Sequence, residues 1–229
     1  MRQKNKIELI GIYGSDEIIA CSAWTSTSRN LTNDKRNRIP KMLEDLWKNG
    51  HETPFEKGIV HFLVDSEIAS HIHMLKHRIS SINGESARYK ELKEDKYYIP
   101  EDWIGIYPKE PNILNEYFKG DWSHILEKYT ELGNKLYHQC LSELTPVLGR
   151  KRAKESARFF KTYNSQIEVD IMFNMRSFAN FLNLRRSKEA QKEIRDIATE
   201  MYNLLKDREE FKHTLNIITN YKPKKLKND

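Results

Sequence analysis

The sequence of 229 residues predicts a single α+β domain over residues 1–220, a small, mostly antiparallel sheet flanked by helices, followed by a basic tail over residues 221–229. Three observations carry that expectation. Short β-rich apolar runs alternate with stretches of three- and four-residue apolar spacing. Turn residues separate them, with no internal repeat and no low-complexity linker. Hydrophobic residues at 38% against 31% charged suit one globular core with a highly charged surface.

Lys6 to Tyr13 reads as an apolar strand ending at Gly14, and a short helix follows through Ala20 and Trp24. Ile39, Met42, Leu43, Leu46 and Trp47 recur at helical spacing, so residues 36–49 form an amphipathic helix that Asn49-Gly50 stops. Ile59 to Val64 is a buried strand, and Ile68, Ile72 and Leu75 return to helical spacing over residues 66–77. The stretch from Arg78 to Arg88 is poor in apolar residues and contains Asn83-Gly84, which predicts a loop. Tyr97 to Asn115, with Pro100, Pro108 and Pro111, reads as a surface excursion.

Ile125, Tyr129, Leu132, Leu136 and Cys140 line one face of a long helix. Thr145-Pro146 is an N-cap and first residue for the next one. Gln166 to Phe173 alternates loosely as a strand does, and two helices follow over 174–184 and 188–205.

A formal charge of +6 selects anionic partners such as nucleotides, folates or nucleic acid, and nothing finer. Cys21 and Cys140 fit neither a disulfide framework nor a metal-ligand pattern. The N-terminal residues lack the apolar core of a signal peptide, and no apolar run reaches the length of a membrane span. A cytoplasmic protein is expected.

Four segments hold polar residues that a folding pattern alone would not require. His51-Glu52-Thr53-Pro54-Phe55-Glu56 is equally an ordinary polar turn. From Lys76-His77-Arg78 to Arg88, cationic side chains at a helix end precede small hydroxyls and a further arginine. That set suits a phosphate ester, and equally a solvated basic helix end. Arg158, in Glu155-Ser156-Ala157-Arg158, has nothing local to single it out.

The fourth segment runs from Asn174 to Arg185. At helical spacing Arg176, Asn180 and Asn183 share a stripe opposite Phe178 and Phe181, with Asn174 and Arg185 at the two ends. Asparagine is a poor helix former, so two on one stripe suggest specific hydrogen bonds, or an amide pair buried against backbone. His73 and His77 stand at a metal-pair spacing without an HExxH pattern or a third ligand, and no metal is expected. There is no GxGxxG or GxxxxGK[ST].

Together these segments resemble the flavin-dependent thymidylate synthase family. Lys76-His77-Arg78, Ser81, Asn83, Ser86 and Arg88 match its RHRxxSxNxxSxR signature, and His51 to Glu56 match its HxTPFE element. Glu155-x-x-Arg158, Asn174-x-Arg176, Asn180 and Asn183-Leu184-Arg185 fall at family spacing. The resemblance spans residues 20–205.

It implies a homotetramer whose active sites are built from several subunits. It also implies reductive methylation of dUMP to dTMP, with FAD bound and with NADPH and 5,10-methylenetetrahydrofolate as co-substrates. Thr53, Glu56, Lys76, His77, Arg78, Gly84, Asn174, Arg176 and Asn180 would bind FAD. His73, Lys76, Gly84, Glu85, Ser86, Ala87, Arg88, Arg158 and Arg185 would bind the nucleotide. His51 would lie near flavin and folate as a catalytic group. With no cysteine nucleophile apparent, Arg185 would stabilise the ionised edge of uracil.

The chain departs from the family at Lys76, in place of Arg, at His73, where Gln is frequent, and at Gly84, where Glu or Gln is common. Two alternatives follow: a flavin-dependent dUMP hydroxymethylase, or a nucleic-acid-binding homologue that has lost catalysis.

Overall fold

The computed structural model describes residues 1–109 and 119–221. Residues 222–229 of the basic tail and part of the proline-bearing excursion lie outside them. Among the described residues are four strands and eight α-helices, an α+β architecture. In chain order these are β1 (Lys6–Tyr13), α1 (Asp16–Ala23), α2 (Asn33–Lys48), β2 (Ile59–Glu67), α3 (Ile68–Leu75) and β3 (Ser81–Gly84). They continue with α4 (Trp122–Leu148), α5 (Arg150–Ala157), β4 (Gln166–Asn174), α6 (Met175–Arg185), α7 (Lys192–Leu205) and α8 (Lys212–Asn220). No described helix is long and apolar enough to cross a membrane.

The strands form one sheet in the order β1-β2-β4-β3, and it is antiparallel, as expected. Asn5, just before β1, reaches Glu67 at the end of β2, and the Met175 amide after β4 bonds the Gly58 carbonyl before β2. Three expectations about elements need correction. Ser81–Gly84 is a strand inside the predicted loop, its pairing continued by the Glu85 amide on the Glu168 carbonyl at 2.8 Å. Pro146 does not begin a helix. It lies within α4, which runs on to Leu148, and the break comes at Gly149. The helix α8 is additional to those predicted.

The chain divides into two compact units, each assembled from three separate stretches. That interleaving explains why no boundary is visible along the sequence. The first unit comprises Met1–Lys6, Asp65–Ile72 and Gly84–Val169. Its core is Tyr137 and Leu141 of α4 against Ala153 and Ala157 of α5, with Leu92, Cys140 and Leu144 packed around them. Lys161 is buried there between Asp95 (2.5 Å) and Asn134 (2.8 Å), and desolvation lowers its pKa despite the carboxylate.

The second unit comprises Ile7–Val64, His73–Asn83 and the chain from Asp170 onward. The alternation in β2 buries Val60, Phe62 and Val64, and Phe62 stacks on Phe178 of α6 with ring centroids 5.8 Å apart. Phe173 and Phe181 meet at 5.0 Å beside them. Trp47 of α2 meets Phe55 edge-on at 5.1 Å. A Cβ at Gly58 would stand 2.6 Å from the Phe211 ring, so only a bare backbone fits that approach. Asp16 is buried and accepts from the amides of His213 (2.7 Å) and Thr214 (3.0 Å), capping the positive end of α8.

Candidate functional site

The expected site residues fall into two groups, one in each unit. In the second unit, α6 supplies the polar stripe. Asn174 is its N-cap, with Oδ1 accepting from the Ser177 amide at 2.8 Å, which fixes the start of the helix. The helix buries Phe178 and Phe181 and leaves Arg176, Asn180 and Asn183 exposed. The buried amide pair is thereby excluded. Neither Asn180 nor Asn183 has a side-chain hydrogen bond among the described residues.

Arg176 is forked between two carboxylates, donating from Nε to Glu52 and from Nη1 to Glu56, both at 2.7 Å. Glu52 was not among the expected site residues, although it lies within the His51–Glu56 element. Thr53 opens the 3-10 turn Thr53–Lys57 and is exposed. His51 is also exposed, and it lines a cavity of about 250 Å³ with Arg38, Lys41, Met42, Asp45, Leu46 and Asn49. Among the described residues, no side-chain hydrogen bond or ion pair joins His51 to the remaining site residues.

The end of α3 meets the end of α6. Arg185 donates from Nε to Nε2 of His77 at 3.0 Å and from Nη2 toward the His73 carbonyl at 3.5 Å. His77 is only 8% exposed and stands edge-on to Phe181 at 4.9 Å. Burial, the Arg185 charge and His73 together push its pKa down to about 4. His73 in turn sits 3.2 Å from Oε1 of Gln191, a partner that the sequence pattern gave no reason to select. Lys76 and Arg78 are exposed, and Arg185 is half-buried; none of the three has a carboxylate partner among the described residues.

In the first unit the segment after β3 is shaped by its own hydrogen bonds. Glu85 bonds the Glu168 backbone in both directions and pairs with Lys90 at 2.8 Å, so its carboxylate is committed to the fold. The Ser86 carbonyl accepts from Tyr89 and Lys90, and its Oγ from the Arg88 amide at 3.3 Å, which closes the turn through Ala87. Arg88 pairs with Glu155 at 2.9 Å. Arg158 begins the 3-10 turn Arg158–Phe160, exposed and without a side-chain partner among the described residues.

Unpartnered Lys76, Arg78 and Asn180 in the second unit, and the Ser86–Arg88 turn with its hydroxyl and guanidinium in the first, are groups of the kind that bind anionic ligands.

The family model described as thymidylate synthase complementing protein matches residues 8–208. The flavin-dependent thymidylate synthase of Thermosipho africanus is 30% identical over 209 residues, 90% of this chain and 87% of that protein. The enzyme of the same name from Pseudothermotoga lettingae is 30% identical over 200 residues, 87% of this chain and 84% of its own. The fold is shared with PolB, a UMP/dUMP methylase from Streptomyces cacaoi solved with 5-Br dUMP, at a TM-score of 0.76 and 23% identity over 96% of this chain and 97% of that one. The chain belongs to the family of the thymidylate synthase complementing proteins, the flavin-dependent thymidylate synthases.

Proposed function

We propose that this protein converts dUMP to dTMP, with FAD bound, 5,10-methylenetetrahydrofolate as one-carbon donor and NADPH as reductant. The observation that carries the reading is the Arg185–His77 pair. A half-buried guanidinium is oriented by a neutral imidazole and a carbonyl, and no carboxylate among the described residues quenches it. Its charge is free to stabilise a developing anion on the N3–O edge of uracil, which makes C5 nucleophilic without a cysteine. Cys140 supports this, since it packs against the first unit's core.

Ser86, Ala87 and Arg88, with Arg158, hold the nucleotide phosphate; Gly84 and Glu85 shape the loop. Lys76, Arg78 and Arg176 neutralise the pyrophosphate of FAD, while Thr53, Glu56, His77, Asn174 and Asn180 complete its site. Bound FAD supplies the hydride chemistry that side chains lack. His73 sets the position of Arg185 through its carbonyl, and His51 serves the folate side.

The two groups of residues complete one another across subunits of a homotetramer. The large apolar side chains of Val147, Phe159 and Tyr163, at 77%, 79% and 70% exposure, support a self-association surface on the first unit.

The test is an anaerobic absorbance titration with NADPH, dUMP and methylenetetrahydrofolate, followed by product identification. Flavin bands that bleach and recover with dTMP formation establish the synthase. A hydroxymethylated pyrimidine would replace it by the hydroxymethylase, and a chain that takes up no FAD would refute both.

A further inference from the structure

His71 belongs to none of the groups above. It lies in α3, within the first unit, and an ideal Cβ at Gly84 would stand 3.0 Å from its Cε1 and 3.5 Å from its Nε2. The imidazole therefore occupies the volume that a side chain at position 84 would claim. This is the position at the head of the Gly84–Arg88 segment where the sequence departs from Glu or Gln.

The Nδ1 of His71 is shielded from solvent and has no hydrogen-bond partner, and Nε2 has none among the described residues. A buried polar atom without a partner costs about 1–3 kcal/mol. No hydrogen bond among the described residues fixes the tautomer of this ring, and Nε2, nearer to Gly84, is the nitrogen left for a ligand. Burial also lowers the pKa of the ring, so near neutral pH it is an uncharged group with one donor and one acceptor. Such a group is poorly suited to a phosphate and well suited to a sugar hydroxyl or a uracil amide edge.

We infer that His71 is a specificity residue for the nucleotide, contacting the sugar or base in place of the side chain absent at Gly84. The inference rests on the proposed dUMP chemistry. It divides recognition between two sources: Ser86, Arg88 and Arg158 take the phosphate, and an imidazole projecting from a neighbouring helix takes the uncharged part.

The test is a cycle of His71→Ala, Gly84→Gln and the double variant in the FAD-loaded protein, reading KM and kcat for dUMP and inhibition by inorganic phosphate. His71→Ala should raise KM about tenfold with kcat and phosphate inhibition nearly unchanged, as loss of one neutral hydrogen bond predicts. Gly84→Gln alone should be impaired by its clash with the ring, and the double variant should regain most of the dUMP affinity. An unchanged KM in His71→Ala would overturn the inference while leaving the synthase reading intact. Parallel loss of dUMP and phosphate binding would also overturn it, since that marks a structural role. Failure of the unmodified protein to bind dUMP would remove the reading and the inference together.

Discussion

Arg185 donates its Nε–H to Nε2 of His77 at 3.0 Å, so the ring that orients it is a neutral imidazole carrying its proton on Nδ1. A protonated His77 would oppose the guanidinium, because both would be donors with positive charge. The pair holds only while His77 is uncharged, so the proposed reaction and the acid stability of the fold can be tested on it separately.

In the proposed reaction, turnover depends on the guanidinium. Arg185→Ala should retain FAD, because Arg185 is not itself one of the expected flavin contacts and His77 keeps its packing on Phe181, and should lose dTMP formation by about 10²–10³-fold, the scale of removing one preorganised charge-stabilising donor. Single-turnover product formation beside the flavin spectrum checks this. Near-normal dTMP formation would exclude Arg185 as the uracil activator.

Acid stability depends on the imidazole. His77 has a folded pKa of about 4 against 6.5 for a free histidine. Between those values the unfolded chain takes up a proton that the folded chain refuses. The contribution of this site is therefore complete above about pH 6.5 and is lost as pH falls toward 4, on the order of 2–3 kcal/mol. Urea midpoints measured across that window should fall steeply, and His77→Gln, which can still accept from Arg185, should flatten the profile.

Flavin retention tests the other end of α6. Arg176 is 45% exposed, so its pairs with Glu52 and Glu56 are worth at most about 1 kcal/mol to the fold. Arg176→Ala should accordingly purify with little FAD and a nearly unchanged melting temperature. Full flavin occupancy would remove Arg176 from the cofactor site.

Nucleotide binding can be separated from stability at Arg158, on which no side chain among the described residues relies. Arg158→Ala should raise KM for dUMP about tenfold or more, the scale of a lost charge-assisted hydrogen bond, and leave the urea midpoint unmoved. Unchanged KM would place Arg158 outside the phosphate site.

Packing is tested at Gly58, where a Cβ would lie 2.6 Å from the Phe211 ring. Gly58→Ala should destabilise the second unit by about 1–3 kcal/mol, the usual cost of overpacking. Denaturant titration provides the check.

What was legible in the sequence tracks what periodicity encodes. The α6 stripe was visible because Phe178 and Phe181 define the buried side against which Arg176, Asn180 and Asn183 stand out. The strand β3 was not, because Ser81, Asn83 and Gly84 look like a turn until β4 offers them a ladder. Pro146 resembled a helix start because local chemistry does not reveal that α4 tolerates it near its last turn. His71 gave no signal at all: a histidine among apolar neighbours on a helix becomes noticeable only when Gly84 is seen beside it.

The Asp16 carboxylate, holding two amides that lie 197 and 198 residues further along, also sets when the N-terminal segment can complete its folding. A ribosome must extend the chain by 197 residues beyond Asp16 before α1 meets the first amide it caps. Until then the N-terminal segment stays incomplete, with its apolar faces waiting for a helix still inside the exit tunnel. Such late closure favours protection by chaperones during translation and makes premature termination before α8 especially damaging.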